Sequence, residues 1–283
     1  MNEKNNGEMP QDNGRRKFLI GTGLVVAAAA TQFGLTGLLT GCKGKEVPSS
    51  DTAAATPTST PQSPPPPWQY AKLDSLAAAE RAYAAYYQGG CMFGAFEGII
   101  GELREKVGPP YDSFPAAMMK YGKAGVVGWG TLCGALNGAS ASIYLVSEPK
   151  TGDGLIDELF AWYGAEALPN YQPKTPKFVI APSKSESPLC HVSVTTWCET
   201  SGFKALSAER AERCAWLTAS VVKHTTELLN GSSDGKVAVM LPLSTEVSGC
   251  LACHGKGGVV ENVHASRASS CVSCHEPHSL PPK

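Results

Sequence analysis

The chain has 283 residues, with 24 lysines and arginines against 25 aspartates and glutamates for a formal charge of −1. No basic stripe of the kind that nucleic acid selects is present, and no nucleophile–base pair or paired carboxylates point to hydrolysis. Ten cysteines and six histidines carry the reading instead.

Residues 15–19, RRKFL, put twin arginines ahead of a stretch from Phe18 to Gly41 without a single charge. A basic start followed by an apolar run is the pattern of a Tat-type export signal. The run ends in Leu39-Thr40-Gly41-Cys42, which resembles a lipoprotein signal-peptidase site with Cys42 as the residue to be acylated. A transmembrane anchor is the alternative, since the run is long enough to span; its Gly, Ala and Thr content argues for cleavage. Either way the working protein is expected to be periplasmic or extracytoplasmic and tethered to the membrane. Removing residues 1–42 leaves 20 basic residues against 22 acidic ones, still near neutrality. Residues 43–67 are rich in Pro, Ser, Thr and Ala and end in four prolines. Such a segment cannot bury enough apolar surface to offset its ordering entropy, so it reads as a linker.

The body, residues 68–234, has helical periodicity and predicts a mainly α fold. Residues 70–88 form an alanine-rich helix that ends at the breakers Gly89-Gly90, and 96–107 and 154–164 read as further helices. The clearest helix is 207–231, with Ser207 as N-cap, Glu209 in the first turn and Asn230-Gly231 as the stop. Cys214, Leu217, Val221, His224 and Leu228 share one of its faces, so Cys214 and His224 point inward. His224 fits a buried core histidine or a haem ligand. Residues 165–206, with five prolines, read as loop.

Five cysteines lie in the body: Cys91, Cys133, Cys190, Cys198 and Cys214. In an exported protein disulfides are the default, and four of these could pair in three ways. Against that default, Cys91 lies in GGCMFGAFEG and Cys133 in GWGTLCGALNGAS. Glycines beside a cysteine let backbone amides approach the sulfur, which suits an iron–sulfur cluster.

The tail, residues 235–283, carries CLACH at 250–254 and CVSCH at 271–275, with seventeen residues between Cys253 and Cys271. A four-thiolate zinc site fits the cysteine spacing. Cys-x-x-Cys-His is also the attachment motif of haem c, and only that chemistry uses the histidine after each pair. Cys250, Cys253, Cys271 and Cys274 would form thioethers to two haems, with His254 and His275 as proximal iron ligands. His264 and His278 are spare, one imidazole per haem, which predicts bis-histidine coordination. His278 stands too near His275 to reach the far face of the same haem, so it is expected to serve the other haem or one in a partner subunit. With no periodic apolar pattern, the tail is expected to order only with its cofactor.

GTLCGALNGA at 130–139, with GGCMFGAFEG upstream and spaced cysteines downstream, resembles the C_GCAxxG_C_C family of redox proteins. With two Cys-x-x-Cys-His motifs appended, residues 70–283 are similar to the split-Soret cytochromes c. The resemblance implies a homodimer, two stacked bis-histidine haems per chain, a haem ligand exchanged between subunits, and an iron–sulfur cluster on body cysteines. Cys133, Cys91, Cys198 and Cys190 are the ligands it carries over, with Cys214 in reserve. The first motif departs from the family pattern in lacking alanine directly after Cys91. The expected function is electron transfer between donor and acceptor proteins; the alternative is a small reductase working at an open cluster or a five-coordinate haem.

Overall fold

Gly90 divides the first helix of the protein. The structure is a computed structural model, and it describes residues 63–237, 240–265, 267, 270–272 and 274–278. The export signal, Cys42 and most of the linker lie outside the described residues. Helix α1 (Ser75–Val107) opens on Asp74, whose carboxylate accepts the N–H groups of Leu76 and Ala77 and so satisfies donors that a helix start leaves unpaired. At Gly90 φ is 84°, in the left-handed region that favours glycine, and the helix doubles back. The arms 75–89 and 91–107 meet backbone to backbone. A Cβ on Gly94 would lie 2.9 Å from the Ala82 carbonyl, and one on Gly98 would lie 3.0 Å from that of Ala78. Arg81 on the first arm pairs with Glu102 at 2.6 Å and Glu105 at 2.5 Å on the second. The sequence places the break where it occurs, but the second arm begins at Cys91 rather than at residue 96.

After two short 3-10 turns (Tyr111–Ser113 and Ala116–Gly122), α2 (Lys123–Val126) is a single turn of the wrong hand. Ala124, Gly125, Val126 and Val127 all have φ between 49° and 63°. For residues with a Cβ this costs roughly 1–2 kcal/mol each. Helix α3 (Gly134–Val146) then crosses the second arm of α1, with Gly138 against the Met92 carbonyl. Helices α4 (Pro149–Ala165) and α6 (Ala208–Ser233) complete the bundle around a core that includes Phe96, Ile99, Ile100, Leu136, Ile143, Leu159, Leu217 and Val221. Each such side chain contributes about 1.5–3 kcal/mol by leaving water.

Helix α6 starts as expected, with the Ser207 hydroxyl accepting the Arg210 N–H, and runs on past Asn230-Gly231 to Ser233. The stretch 165–206 is not all loop. It holds α5 (Cys190–Ser201) and a two-strand antiparallel ladder of β1 (Ala167–Leu168) with β2 (Ser183–Lys184). The tail holds α7 (Thr245–His254), capped by Ser244, and is fastened to α4 by the Arg267–Asp157 ion pair. The described part of the fold is therefore mainly α. Among the described residues no helix is long and apolar enough to cross a membrane.

Candidate metal centres

Four of the five body cysteines border one space. Cys91 stands in the first turn of the second arm of α1, Cys133 is the N-cap of α3, Cys190 opens α5, and Cys214 lies on α6. Backbone pairing between 130–133 and 188–191 brings two of them together: Cys133 N–H donates to the Pro188 carbonyl at 2.8 Å and Cys190 N–H to that of Thr131 at 2.6 Å. Between these elements is a cavity of about 640 Å³ lined by Cys91, Cys133, Cys190 and Cys214, with Tyr86, His191, Arg210 and Arg213. Cys198 is not in that lining; it packs against the second apolar cluster, around Trp197 and Trp216. None of the five body thiols is joined in a disulfide. Among the described residues no three ligating side chains stand close enough to hold a metal ion as they are.

The electrostatics of the cavity are those of crowded thiols. Burial pushes the Cys91 thiol well above its ordinary value, and Cys133 and Cys214 push it further, while the Ala124 N–H directed at its sulfur acts the other way. The left-handed turn of α2 therefore has a local product, a backbone donor aimed at Cys91. Burial also raises the Cys133 thiol, opposed by the Tyr163 hydroxyl and by the N–H groups of Ala135 and Leu136 at the start of α3. Cys190 is pushed up to about 12, first by burial and then by Cys133 and Cys214, with Arg213 and Arg210 opposing. Without a cation these thiols keep their protons at neutral pH, and a metal must displace them. Donors aimed at sulfur, as at Cys91 and Cys133, tune thiolate-held iron.

The sequence missed Arg210 and Arg213. They stand four and one residues before Cys214 on α6, and with Leu217 the four residues line the cavity as one helical stripe. The readable signal was two arginines at helical spacing on a face otherwise apolar. His224 does not reach the cavity. Its ring stacks on Trp162 with centroids 4.0 Å apart, and burial pushes its pKa down to about 4.

In the tail, α7 carries the first Cys-x-x-Cys-His motif in its last turns. Burial first and then the neighbouring Cys250 raise the Cys271 thiol. The Glu246 carboxylate holds Cys271 there by accepting the N–H groups of Cys271 at 2.8 Å and Val272 at 3.2 Å. His254 Nδ1 meets Asn262 Oδ1 at 2.8 Å, which leaves Nε2 as the nitrogen available to a metal. The His278 ring faces that of His254, with centroids 5.5 Å apart and planes at 85°. His264 lines a separate recess of about 670 Å³ beside the first motif, together with Asn262.

The C_GCAxxG_C_C family of redox-active proteins matches residues 94–228, a span that includes Cys133, Cys190, Cys198 and Cys214 and starts just after Cys91. The split-Soret cytochrome c of Desulfovibrio desulfuricans is 40% identical over 216 residues, which cover 74% of this chain and 77% of that protein. The chain belongs to the split-Soret cytochrome c family. A solved structure of split-Soret cytochrome c from the same organism, described as holding a novel iron centre, superposes with a TM-score of 0.68 at 38% identity, over 75% of this chain and 91% of that one. Family membership makes this chain a redox protein of the cytochrome c type, which implies haem c and an iron centre.

Proposed function

We propose that this split-Soret cytochrome c homologue is an extracytoplasmic electron-transfer protein with two haems c in the tail and an iron–sulfur centre in the body. The observation that carries the reading is the capture of the Cys271 and Val272 N–H groups by Glu246 of α7, which brings the two attachment motifs to one place. Haem supplies a one-electron couple; the chain's part is to fasten it through Cys250 and Cys253, and through Cys271 and Cys274, and to present His254 and His275. The His254 and His278 rings lie close together, with centroids 5.5 Å apart, so His278 is proposed as the residue that would hold the first haem together with His254. His264 is left for the haem of His275, in the same chain or in the partner of a homodimer.

For the body the donor set fits an iron–sulfur centre. Four thiols border one cavity without converging on one point, which suits a polynuclear centre better than a single ion. Cys91, Cys133 and Cys190 are its proposed ligands, with Cys214 as the fourth by position and Cys198 just outside. The division at residues 234/235 into body and haem segment, the Tat signal, and the lipid anchor at Cys42 belong to the same proposal, as do redox partner proteins on either side of the electron path.

A second reading keeps one observation in its favour: the cavity extends from the thiols to Val127 and Leu206, which are exposed. A centre there would be reachable by a small substrate, as in a reductase. Counting iron, haem and acid-labile sulfide per chain in haem-matured protein tests the main reading. Two haems with further iron and sulfide are expected; two haems alone would return the body cysteines to a structural role. Carbon monoxide binding to reduced haem would favour the reductase.

A further inference from the structure

Arg213 is a buried cation without a counter-anion among the described residues. Only 1% of its surface is exposed, yet among the described residues no carboxylate pairs with it. One guanidinium nitrogen donates to Ser193 Oγ at 2.9 Å, and Nε is buried with no partner. Isolated buried charge is strongly unfavourable unless something of opposite sign stands beside it. The side chain lines the cavity of the four body thiols, as does that of Arg210, whose Nη1 lies 3.9 Å from Cys214 Sγ. The acid that elsewhere on this helix satisfies a buried environment, Glu212, is turned the other way, onto Tyr83, Tyr87, Trp216 and the Lys177 N–H. The helix thus delivers two cations to the cavity and withholds its one buried anion.

Ser193 connects this charge to a cysteine. It accepts from Arg213 and, at 3.0 Å, from the Tyr163 hydroxyl, which also lies within hydrogen-bond reach of Cys133. Arg213 and Tyr163 thus both donate to Ser193, a buried cluster that places the cation one hydroxyl away from a tyrosine beside Cys133.

We infer that Arg213, supported by Arg210, is the built-in counter-cation of the cysteine site, and that it both admits an occupant of net negative charge and raises that occupant's reduction potential. The inference rests on the reading of the cavity as a redox centre. An iron–sulfur cluster held by thiolates is anionic, and each electron it accepts makes it one unit more negative with no atom transferred. A fixed positive charge beside it stabilises the reduced form more than the oxidised one. Arg213 is therefore a positioning and potential-setting residue, with no ligand role.

The test compares wild type, Arg213→Gln, Arg213→Lys and Arg210→Gln, each matured with haem, by potentiometric titration followed by electron paramagnetic resonance and by iron and sulfide content. With Arg213→Gln, the oxidised-to-reduced ratio at the wild-type midpoint rises about tenfold or more, a downward shift of about 59 mV for one electron. Arg213→Lys stays near wild type, and Arg210→Gln shifts the same way by less. Loss of the centre from the Gln variant alone, with helicity and haem absorption intact, supports the same conclusion through assembly. An unchanged midpoint in Arg213→Gln overturns the inference and leaves the cluster reading standing, and so does equal loss of the centre from the Gln and Lys variants, which would mean packing rather than charge. Wild-type protein without sulfide or non-haem iron overturns both.

Discussion

Asp157→Ala removes the clamp that holds the C-terminal segment against α4. The Asp157 carboxylate is largely buried and accepts from Arg267 Nε at 2.7 Å, from Arg267 Nη2, and from the Leu241 N–H; Arg267 Nη2 also reaches the Leu241 carbonyl at 2.6 Å. Hydrogen bonds to a charged group contribute about 1.5–3 kcal/mol each when buried. Arg267 remains about a third exposed and regains water when its partner is lost, which offsets much of the three-bond total. About 2–3 kcal/mol of local stability should be lost, equivalent to a rise of about 30- to 150-fold in the population with the segment detached. Thermolysin cleavage under native conditions reads that population when opening and closing are fast. The cleavage rate between residues 241 and 278 should rise by that factor in haem-free protein, with the melting of the helical body little changed. A rate within about threefold of wild type would mean that the ion pair is not what holds the segment, and the reasoning from its geometry would fail.

Gly134→Ala would set a Cβ 2.4 Å from Cys91 Sγ and 2.6 Å from the Gly122 carbonyl, so it should cost about 1–3 kcal/mol and abolish sulfide incorporation; full sulfide content in the variant would sink the cavity assignment. His224, pushed down to about 4 by burial, with Glu227 and Lys223 beside it and Trp162 over its ring, binds its proton mainly after unfolding. Its contribution is present above its ordinary value of 6.5 and is lost as pH falls toward 4; after discounting for solvent screening this is about 2 kcal/mol. Denaturation midpoints at pH 7 and 4.5 should show a smaller difference in His224→Phe than in wild type, and equal differences would contradict the burial argument. Asn262→Leu takes the acceptor from His254 Nδ1, weakening the imidazole as a donor to iron, so one haem should titrate about tenfold toward its reduced form, roughly 59 mV upward. If neither haem moves, Asn262 does not orient the ligand.

The two Cys-x-x-Cys-His motifs were legible because their residues are contiguous, whereas the body cavity draws its cysteines from α1, α3, α5 and α6 and no local pattern announces it. Ser207 and the face of α6 carried that helix because cap and periodicity agree. Helix α5, CHVSVTTWCETS, escaped notice because its β-branched residues are poor helix formers; it is held by Trp197, buried and bonded to the Ala181 carbonyl at 2.9 Å. The doubling-back of α1 was half visible. Gly89-Gly90 marked the break, but the small-residue spacing of Gly94, Gly98 and Gly101 gained its meaning only once the arms were seen to touch. That Cys214 lines the cavity and Cys198 does not could not be read from spacing either, since both lie on helices and only the packing of those helices decides which sulfur faces the cavity.

Glycines at the crossing of α1 and α3 set the separation of Cys91 and Cys133 by main chain against main chain. No flexible side chain lies between to take up slack, and the packed surroundings leave little room for either helix to slide. A host of that kind changes shape little when the charge of its guest changes. With the proposed centre bound, electrons would cross at a low nuclear cost, because few atoms would need to move with them. By this argument the close approach of Gly134 and Gly138 to α1 bears on the speed of electron exchange as well as on the fold.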